Sequence, residues 1–406
     1  MSTRSVDGVH WADLDGLRAF AILLVLARHS LRPFVPDDAY QSIVTLGPVD
    51  LTPFVLNGWI GVDLFFVLSG FLIGRQAWRG DGLLRFWFKR ATRILPAYWT
   101  CLAVVAIALT VGGAWPSRGT DFLAHIVMLQ DYTGSVFVAA FWSLGAEEKF
   151  YLLAPLLVLL VARGRGRWLS ARSVQAGSLA ALWLVPVASR ALMAGGLPAT
   201  VSYTEYFLQY RSPFHLTCES LVVGFAIAWM SKQPRAMFAG RASRESLFYG
   251  GAAVVLWWLV PSEILGRIDA RTIVVAPALI GLAFGAMVLA VVSGRGSYSA
   301  LLGHSLWRPI ATGSYTIYLT HMMIIPVASA FAMAIPLAAG TATARWLSFL
   351  PWYLALTVVS AYVLHRCVER PVLEWRDCYL NSQLPTSNSQ PLPIPTAQAT
   401  PNFTSI

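Results

Sequence analysis

The sequence predicts an all-α, polytopic integral membrane protein of about ten transmembrane helices, and three observations carry that reading. Of its 406 residues, 56% are hydrophobic and 12% are charged, whereas a soluble chain devotes about a quarter of its residues to Asp, Glu, Lys and Arg. With a mean hydropathy of +0.60, a water-soluble fold could not cover its own surface; a bilayer removes that need. Apolar runs such as 19–27, 101–113, 152–162, 273–292 and 353–364 recur along the chain, each long enough with its flanks to cross about 30 Å of hydrocarbon. The basic residues, finally, gather on alternate connections between these runs.

Hydropathy places the spans near 16–34, 56–75, 94–113, 142–162, 175–193, 213–231, 246–260, 272–292, 309–334 and 350–367. The first is retained, not cleaved. Asp7, Asp13 and Asp15 precede it, and it ends in Arg28-His29-Ser30 where a leader would offer small residues. Lys89, Arg90 and Arg93, then Arg163, Arg165, Arg167 and Arg172, then Lys232, Arg235, Arg241 and Arg244 crowd one set of connections. The opposite set holds scattered arginines such as Arg118, Arg211 and Arg267. Basic excess marks the cytoplasmic side, so both termini are expected there. The net charge of +10 is mostly this asymmetry and calls for no nucleic-acid partner. Residues 1–379 read as one transmembrane domain. Residues 380–406, rich in Ser, Thr, Pro, Gln and Asn, read as a disordered cytoplasmic tail. The four cysteines have no paired spacing, and none of the seven histidines forms an H-x-x-x-H or H-E-x-x-H pair, so neither a disulfide framework nor a metal site is expected.

Ionisable groups inside spans are costly and usually functional. Arg18 and His29 lie eleven residues apart in the first span, hence on one face and about 16 Å apart along the axis. Arg18 can also be read as snorkelling to the inner interface, with His29 capping the outer end. Glu147, Glu148 and Lys149 open the fourth span; they can serve the helix dipole, but three consecutive charges require at least one to face the bundle interior. Glu147 is expected in the outer half, where it could meet His29. Asp63 is buried by the same depth argument, a candidate partner for a buried arginine, while Ser69 and Gly70 suit close helix packing. Arg90 and Arg93 stand at i and i+3 just before a span, with Pro96 in its first turn. They can anchor the helix or clamp an anion, since guanidinium pairs bind phosphate bidentately. Ser314, Tyr318 and His321 form a polar stripe in the ninth span. His321 fits either a structural hydrogen-bonding role or catalysis.

This layout separates a cationic pair at the cytoplasmic edge from His29 in the outer half. It suits an anionic donor from one side and an acceptor from the other, with histidine as the base that a weakly nucleophilic hydroxyl needs. The segments LDGLRA at 14–19, Arg18 with His29, GVDLFFVLSG at 61–70, FKRATRILP at 88–96, WSLGAEEKFY at 142–151, SYTIYLTH at 314–321 and VERP at 368–371 together resemble the acyltransferase-3 family of membrane acyltransferases, which O-acetylate bacterial surface glycans and some antibiotics. The resemblance runs from residue 14 to 371. It implies a ten-span core, no tightly bound cofactor, acyl-CoA (acetyl-CoA above all) as co-substrate, and a glycan or glycosylated small molecule such as a macrolide as extracytoplasmic acceptor.

By residue, the resemblance points to His29 as catalytic base with Arg18 essential, and to Arg90 and Arg93 at the donor's phosphates. Glu147 matches the acid after Trp-Ser-Leu, the triplet that makes Ser143 a further candidate, and His321 matches the histidine of the ninth-span motif. Lys149 stands where glutamine is common and Thr320 where an aromatic is common, which bears on the substrate more than on the chemistry. The chain resembles the stand-alone form, without an esterase-like domain. Direct transfer from a threaded pantetheine arm and relay through a covalent acyl-enzyme both remain open. So does a stacking role for the outer-loop aromatics Trp115, Tyr132, Tyr203, Tyr206 and Tyr210, which interfacial belts explain equally well. A transporter or flippase using Arg18, His29, Asp63 and Glu147 as a relay is the rival from another class. It lacks the paired broken helices of inverted repeats.

Overall fold

The computed structural model describes residues 11–35, 41–80, 82–114, 119–134, 138–163, 172–197, 200–231, 240–259, 268–334 and 340–382. In chain order the helices are α1 (Trp11–Leu31), α2 (Thr52–Leu56), α3 (Gly61–Ala77), α4 (Leu83–Val111), α5 (Gly119–Ile126), α6 (Gln130–Thr133), α7 (Trp142–Arg163) and α8 (Arg172–Ala194). They continue as α9 (Tyr203–Tyr206), α10 (Glu219–Met230), α11 (Arg241–Leu259), α12 (Ala270–Ser293), α13 (Ser299–Leu302), α14 (Trp307–Met333), α15 (Ala342–Leu364) and α16 (Arg370–Ser382). A short antiparallel ribbon, Thr45–Leu46 with Val49–Asp50, is the one paired sheet among the described residues.

Among the described residues, six helical runs are long and apolar enough to cross a membrane: Thr52–Ala77, Leu83–Val111, Arg172–Ala194, Ala270–Ser293, Trp307–Met333 and Ala342–Ser382. The other four expected spans fall on α1, α7, α10 and α11. Helix α10 has only 12 residues. Helices α1 and α7 fall short in composition because they carry Asp13, Asp15, Arg18 and Arg28, and Glu147, Glu148 and Lys149. Two helices that bear the candidate site, α1 and α7, thus depart from the pattern of a plain span.

Helix α3 is the centre of the bundle: 83% of its most apolar window is buried, against 11% for α8. It is apolar over most of its surface and packed on nearly all sides, as a central helix should be. Its closest partner is α10. A methyl on Gly70 would collide with the backbone carbonyl of Leu221, and one on Gly224 with that of Val67, so small residues let the two backbones touch. Helix α1 packs between α3 and α14, and the Asp13 carboxylate takes a 2.6 Å hydrogen bond from Ser299 on the small helix α13. Val358, Val359, Tyr362 and Val363 leave one side of α15 apolar and exposed, a surface suited to lipid.

Two helix limits differ from the sequence reading. Helix α4 begins at Leu83 and runs through Pro96, so Arg90 and Arg93 sit on a continuous helix, not on a connection before a span. Among the described residues, six helices carry an internal proline in this way, which membrane bundles tolerate because neighbouring groups satisfy the freed carbonyls. Helix α16 extends to Ser382, past the expected start of the tail; residues 383–406 lie outside the described residues. Two π-helical turns, Phe207–Arg211 and His365–Glu369, each end on a charged residue that is then buried, the local widening that often accompanies a functional position.

Candidate active site

Two cavities meet inside the bundle, and one α1 face serves both. The first has about 830 Å³ of empty space and is lined by Arg18 of α1, Ser69 of α3, Arg90 and Arg93 of α4, and Glu147 and Tyr151 of α7. The second has about 1080 Å³ and is lined by His29 with Arg28, Trp59, Trp142, Tyr203 and Arg211. Val62 and Tyr318 line both cavities, so a wall one side chain thick separates them.

The three guanidiniums of the arginine cavity are held differently. Arg93 forms an ion pair with Glu369 at 2.9 Å, and Glu369 also accepts from His365 at 2.7 Å. Arg90 donates to the Gln76 side chain and lies 5.7 Å from the Tyr151 ring centre. Arg18 makes no ion pair or side-chain hydrogen bond with another described residue. Across the cavity, the Tyr151 hydroxyl donates to Glu147 at 2.6 Å and stands 3.5 Å from Ser69. One carboxylate therefore faces several cations. The Arg18 fork has no contact partner among the described residues, although Asp15 and Glu147 stand near enough to act on its charge, and a guanidinium fork of this kind suits phosphate.

In the histidine cavity, His29 and His321 meet edge to face with ring centres 4.9 Å apart. His29 Nδ1 is 2.9 Å from the Val25 carbonyl and His321 Nδ1 is 2.6 Å from the Tyr318 carbonyl. A carbonyl only accepts, so each Nδ1 carries the proton and each Nε2 presents a lone pair. For His29, partly exposed on the cavity wall, this is the tautomer of a general base. His321 is fully buried and its Nε2 has no hydrogen-bond partner; it backs the reachable histidine. At the wall, the Tyr318 hydroxyl donates to the Ala140 carbonyl at 2.6 Å. A phenol has one proton to give, so Ser143 is the donor in the 2.7 Å contact between their hydroxyls.

Asp63 does have a buried arginine partner, and that partner is Arg211, at 2.7 Å. Arg211 also donates to Thr217 at 3.0 Å and lies between the Trp59 and Trp142 rings, 5.1 and 5.3 Å from their centres. Beside it, Arg190 and Glu219 form a second buried pair at 2.7 Å. Arg211, expected among scattered outer-loop arginines, is 3% exposed, because the π-turn at 207–211 folds it inward. Arg190 and Glu219 fall within the expected spans 175–193 and 213–231, and the rule that flags charges inside spans would have found them.

Other expectations separate in space. Glu147 does not line the cavity of His29; it lies with Arg18, Arg90 and Arg93, because five residues into α7 it has already passed below the wall that Ser143 helps to build. Lys149 turns away to Asp131, at 2.6 Å, which resolves the run of three charges. The stripe on α14 divides: Ser314 faces the arginine cavity, Tyr318 the wall, and His321 the other histidine. Tyr203 and Tyr206 line the histidine cavity, whereas Tyr132 stacks on His215. Trp115 lies outside the described residues.

Comparison with known families is decisive at this point. The model of the acyltransferase domain family known as Acyl_transf_3 matches residues 11–366. The chain belongs to this family. Among curated relatives, the peptidoglycan O-acetyltransferase OatA of Listeria monocytogenes is 26% identical over 385 residues, covering 88% of this chain and 55% of the relative. This chain thus spans about half the length of that protein. The acyltransferase MdmB of Streptomyces mycarofaciens is 27% identical over 391 residues, covering 90% of this chain and 92% of the relative. The O-acetyltransferase OatA of Staphylococcus aureus is 28% identical over 165 residues, 36% of this chain and 24% of the relative. No solved structure gives a significant match. Both cavities and every side chain placed in them above fall within the matched residues, Glu369 excepted.

Proposed function

We propose that this member of the acyltransferase family moves an acyl group, acetyl in the simplest case, from cytoplasmic acyl-CoA to a hydroxyl of an extracytoplasmic saccharide-type acceptor. The observation that carries the reading is the pair of cavities sharing the Tyr318–Val62 wall, one cationic and one presenting the His29 Nε2 lone pair. The relatives' names, O-acetyltransferase among them, support the acyl transfer. The positive-inside pattern supports placing the Arg18 end toward the cytoplasm.

In this reading the donor's phosphates engage Arg18, with Arg90 and Arg93 behind it, and the thioester arm threads past Tyr318. The acceptor hydroxyl enters beside His29. Its oxygen attacks the thioester carbonyl carbon while its proton passes to His29 Nε2. The tetrahedral adduct collapses with cleavage of the carbon–sulfur bond, and the departing thiolate takes the proton back from the imidazolium. An ester and free CoA remain, and His29 is regenerated. General-base assistance of this kind contributes roughly 10²–10⁴-fold. The hydrogen bond to Val25 and the His321 ring keep the His29 imidazole in the productive tautomer and orientation.

The test is transfer from radiolabelled acetyl-CoA in membranes carrying wild type or His29→Ala at equal abundance. Label entering glycan with wild type and falling at least about 100-fold in the variant is the expected result. Equal labelling in both removes His29 from the mechanism. Solute flux in proteoliposomes without acceptor-dependent CoA release replaces the enzyme by a transporter.

A further inference from the structure

We propose that the histidine cavity takes an anionic acceptor: a saccharide bearing a carboxylate or phosphate near the hydroxyl that is acylated. This rests on the acyl-transfer reading and narrows its substrate class.

The lining of this cavity includes Arg28, Arg32 and Arg211 and, among the described residues, no Asp or Glu. The charge of Arg211 is met from behind by Asp63 at 2.7 Å. That of Arg28 is met by no described carboxylate. Its side chain is only 5% exposed, its guanidinium donates to the Leu56 carbonyl, and it lies 4.7 Å from the centre of the Tyr203 ring. A carbonyl and an aromatic face are neutral partners, so no described carboxylate balances this buried cation. Buried charges are normally paired, because leaving water without a counter-ion is expensive. A guanidinium has five donors in a planar fork, and one carbonyl leaves most of that fork available.

The position of Arg28 gives the missing anion a use. Arg28 immediately precedes His29, and both line the same cavity. An acidic group held by Arg28 would anchor one edge of a sugar ring while a hydroxyl on that ring reaches His29 Nε2. Trp59, Trp142 and Tyr203 supply apolar walls around that path, surfaces suited to the C–H face of a pyranose.

The experiment uses the full chain in phosphatidylcholine nanodiscs with acetyl-CoA and two matched acceptor pairs. These are N-acetylglucosamine with its 3-O-lactyl ether, and methyl glucoside with methyl glucuronide. We expect kcat/KM for the anionic member of at least one pair to exceed that of its neutral partner about tenfold. Arg28→Gln should bring that ratio close to one, and Arg28→Lys should keep most of it. The ratio is internal to each preparation, so a general loss of fold does not imitate the result; should Arg28→Gln not fold, the wild-type and Arg28→Lys ratios still decide. Equal kcat/KM within both pairs overturns the proposal and leaves acyl transfer standing. A parallel fall for both members in Arg28→Gln, with the ratio kept, makes Arg28 structural and also overturns it. If no saccharide preference appears but phosphatidylglycerol nanodiscs raise turnover in an Arg28-dependent way, the anion is a lipid headgroup and the saccharide assignment fails. Absence of transfer to any acceptor sinks the acyl-transfer reading itself.

Discussion

Two charged clusters lie within one bundle and are handled in opposite ways. Around α3, α8 and α10, each buried ion has its opposite in contact: Arg211 with Asp63, and Arg190 with Glu219, both at 2.7 Å. Where α1 meets α4, α7 and α14, Arg18 has the carboxylates of Asp15 and Glu147 near it but no ion pair with a described residue, and His29 faces a second histidine instead of an acid. The first cluster is closed on itself and joins helices. The second is incomplete without a ligand. Buried charge alone therefore does not mark a membrane site; buried charge in contact with no described counter-ion is the better pointer.

The largest effect should come from opening the closed cluster. Asp63→Ala would leave the Arg211 guanidinium buried between two indoles with only Thr217 to accept from it. Removing one partner of a buried pair costs roughly 3–5 kcal/mol, so the variant should melt far below wild type in detergent. Replacing both partners, Asp63→Leu with Arg211→Met, should recover much of that loss, since no ion is then stranded. His29→Ala should leave the melting temperature nearly unchanged while removing transfer. A wild-type melting point for Asp63→Ala, together with lost transfer, would move Asp63 from the structural cluster into the site.

The sequence flagged Asp63 of the closed cluster and the charges of the open one by the same signal, a charge inside an apolar run, and could not tell the two clusters apart. Spacing along one helix was legible: Arg18 and His29 do share a face, and Gly70 does sit at a close helix contact. So was the class of partner for Asp63. Its identity was not, because Arg211 is 148 residues away and reaches inward through a π-turn that no local propensity announces. The pairing of His29 with His321 crosses from the first helix to the fourteenth for the same reason. Glu147 was misplaced because depth was counted from the helix start as though the membrane edge lay there, while the wall at Ser143 and Tyr318 sets the division between cavities. The partner of Arg93 was in view within the VERP segment, as Glu369, but nothing in a linear pattern joins residue 93 to residue 369.

The open cluster can be dissected by comparing its arginines. Arg18→Gln should raise KM for acyl-CoA about 10- to 100-fold, the worth of one charge-assisted contact of roughly 1.5–3 kcal/mol, with little change in melting. Arg93→Gln should act the other way round: it frees the buried Glu369 carboxylate, so stability falls more than donor affinity. Donor titrations and melts on the same two preparations would show the crossing. If both variants change KM equally and neither melts early, the Arg93–Glu369 pair belongs to the donor site and the distinction between held and free guanidiniums fails.

The smallest effect concerns the wall. Tyr318→Phe removes the hydroxyl that donates to Ala140 and accepts from Ser143, two contacts each worth about 0.5–1.5 kcal/mol net, while the ring that fills the space between the cavities stays. Stability should therefore drop only slightly. The ring, however, would no longer be fastened, and water in the histidine cavity would gain access to the donor thioester. CoA release in the absence of acceptor should rise a few-fold, and acceptor-dependent transfer should fall by a similar factor. Tyr318→Ala, which removes the ring as well, should increase the leak further. A leak that stays at the wild-type level in both variants would mean that the thioester is shielded elsewhere, and Tyr318 would then be a packing residue of α14.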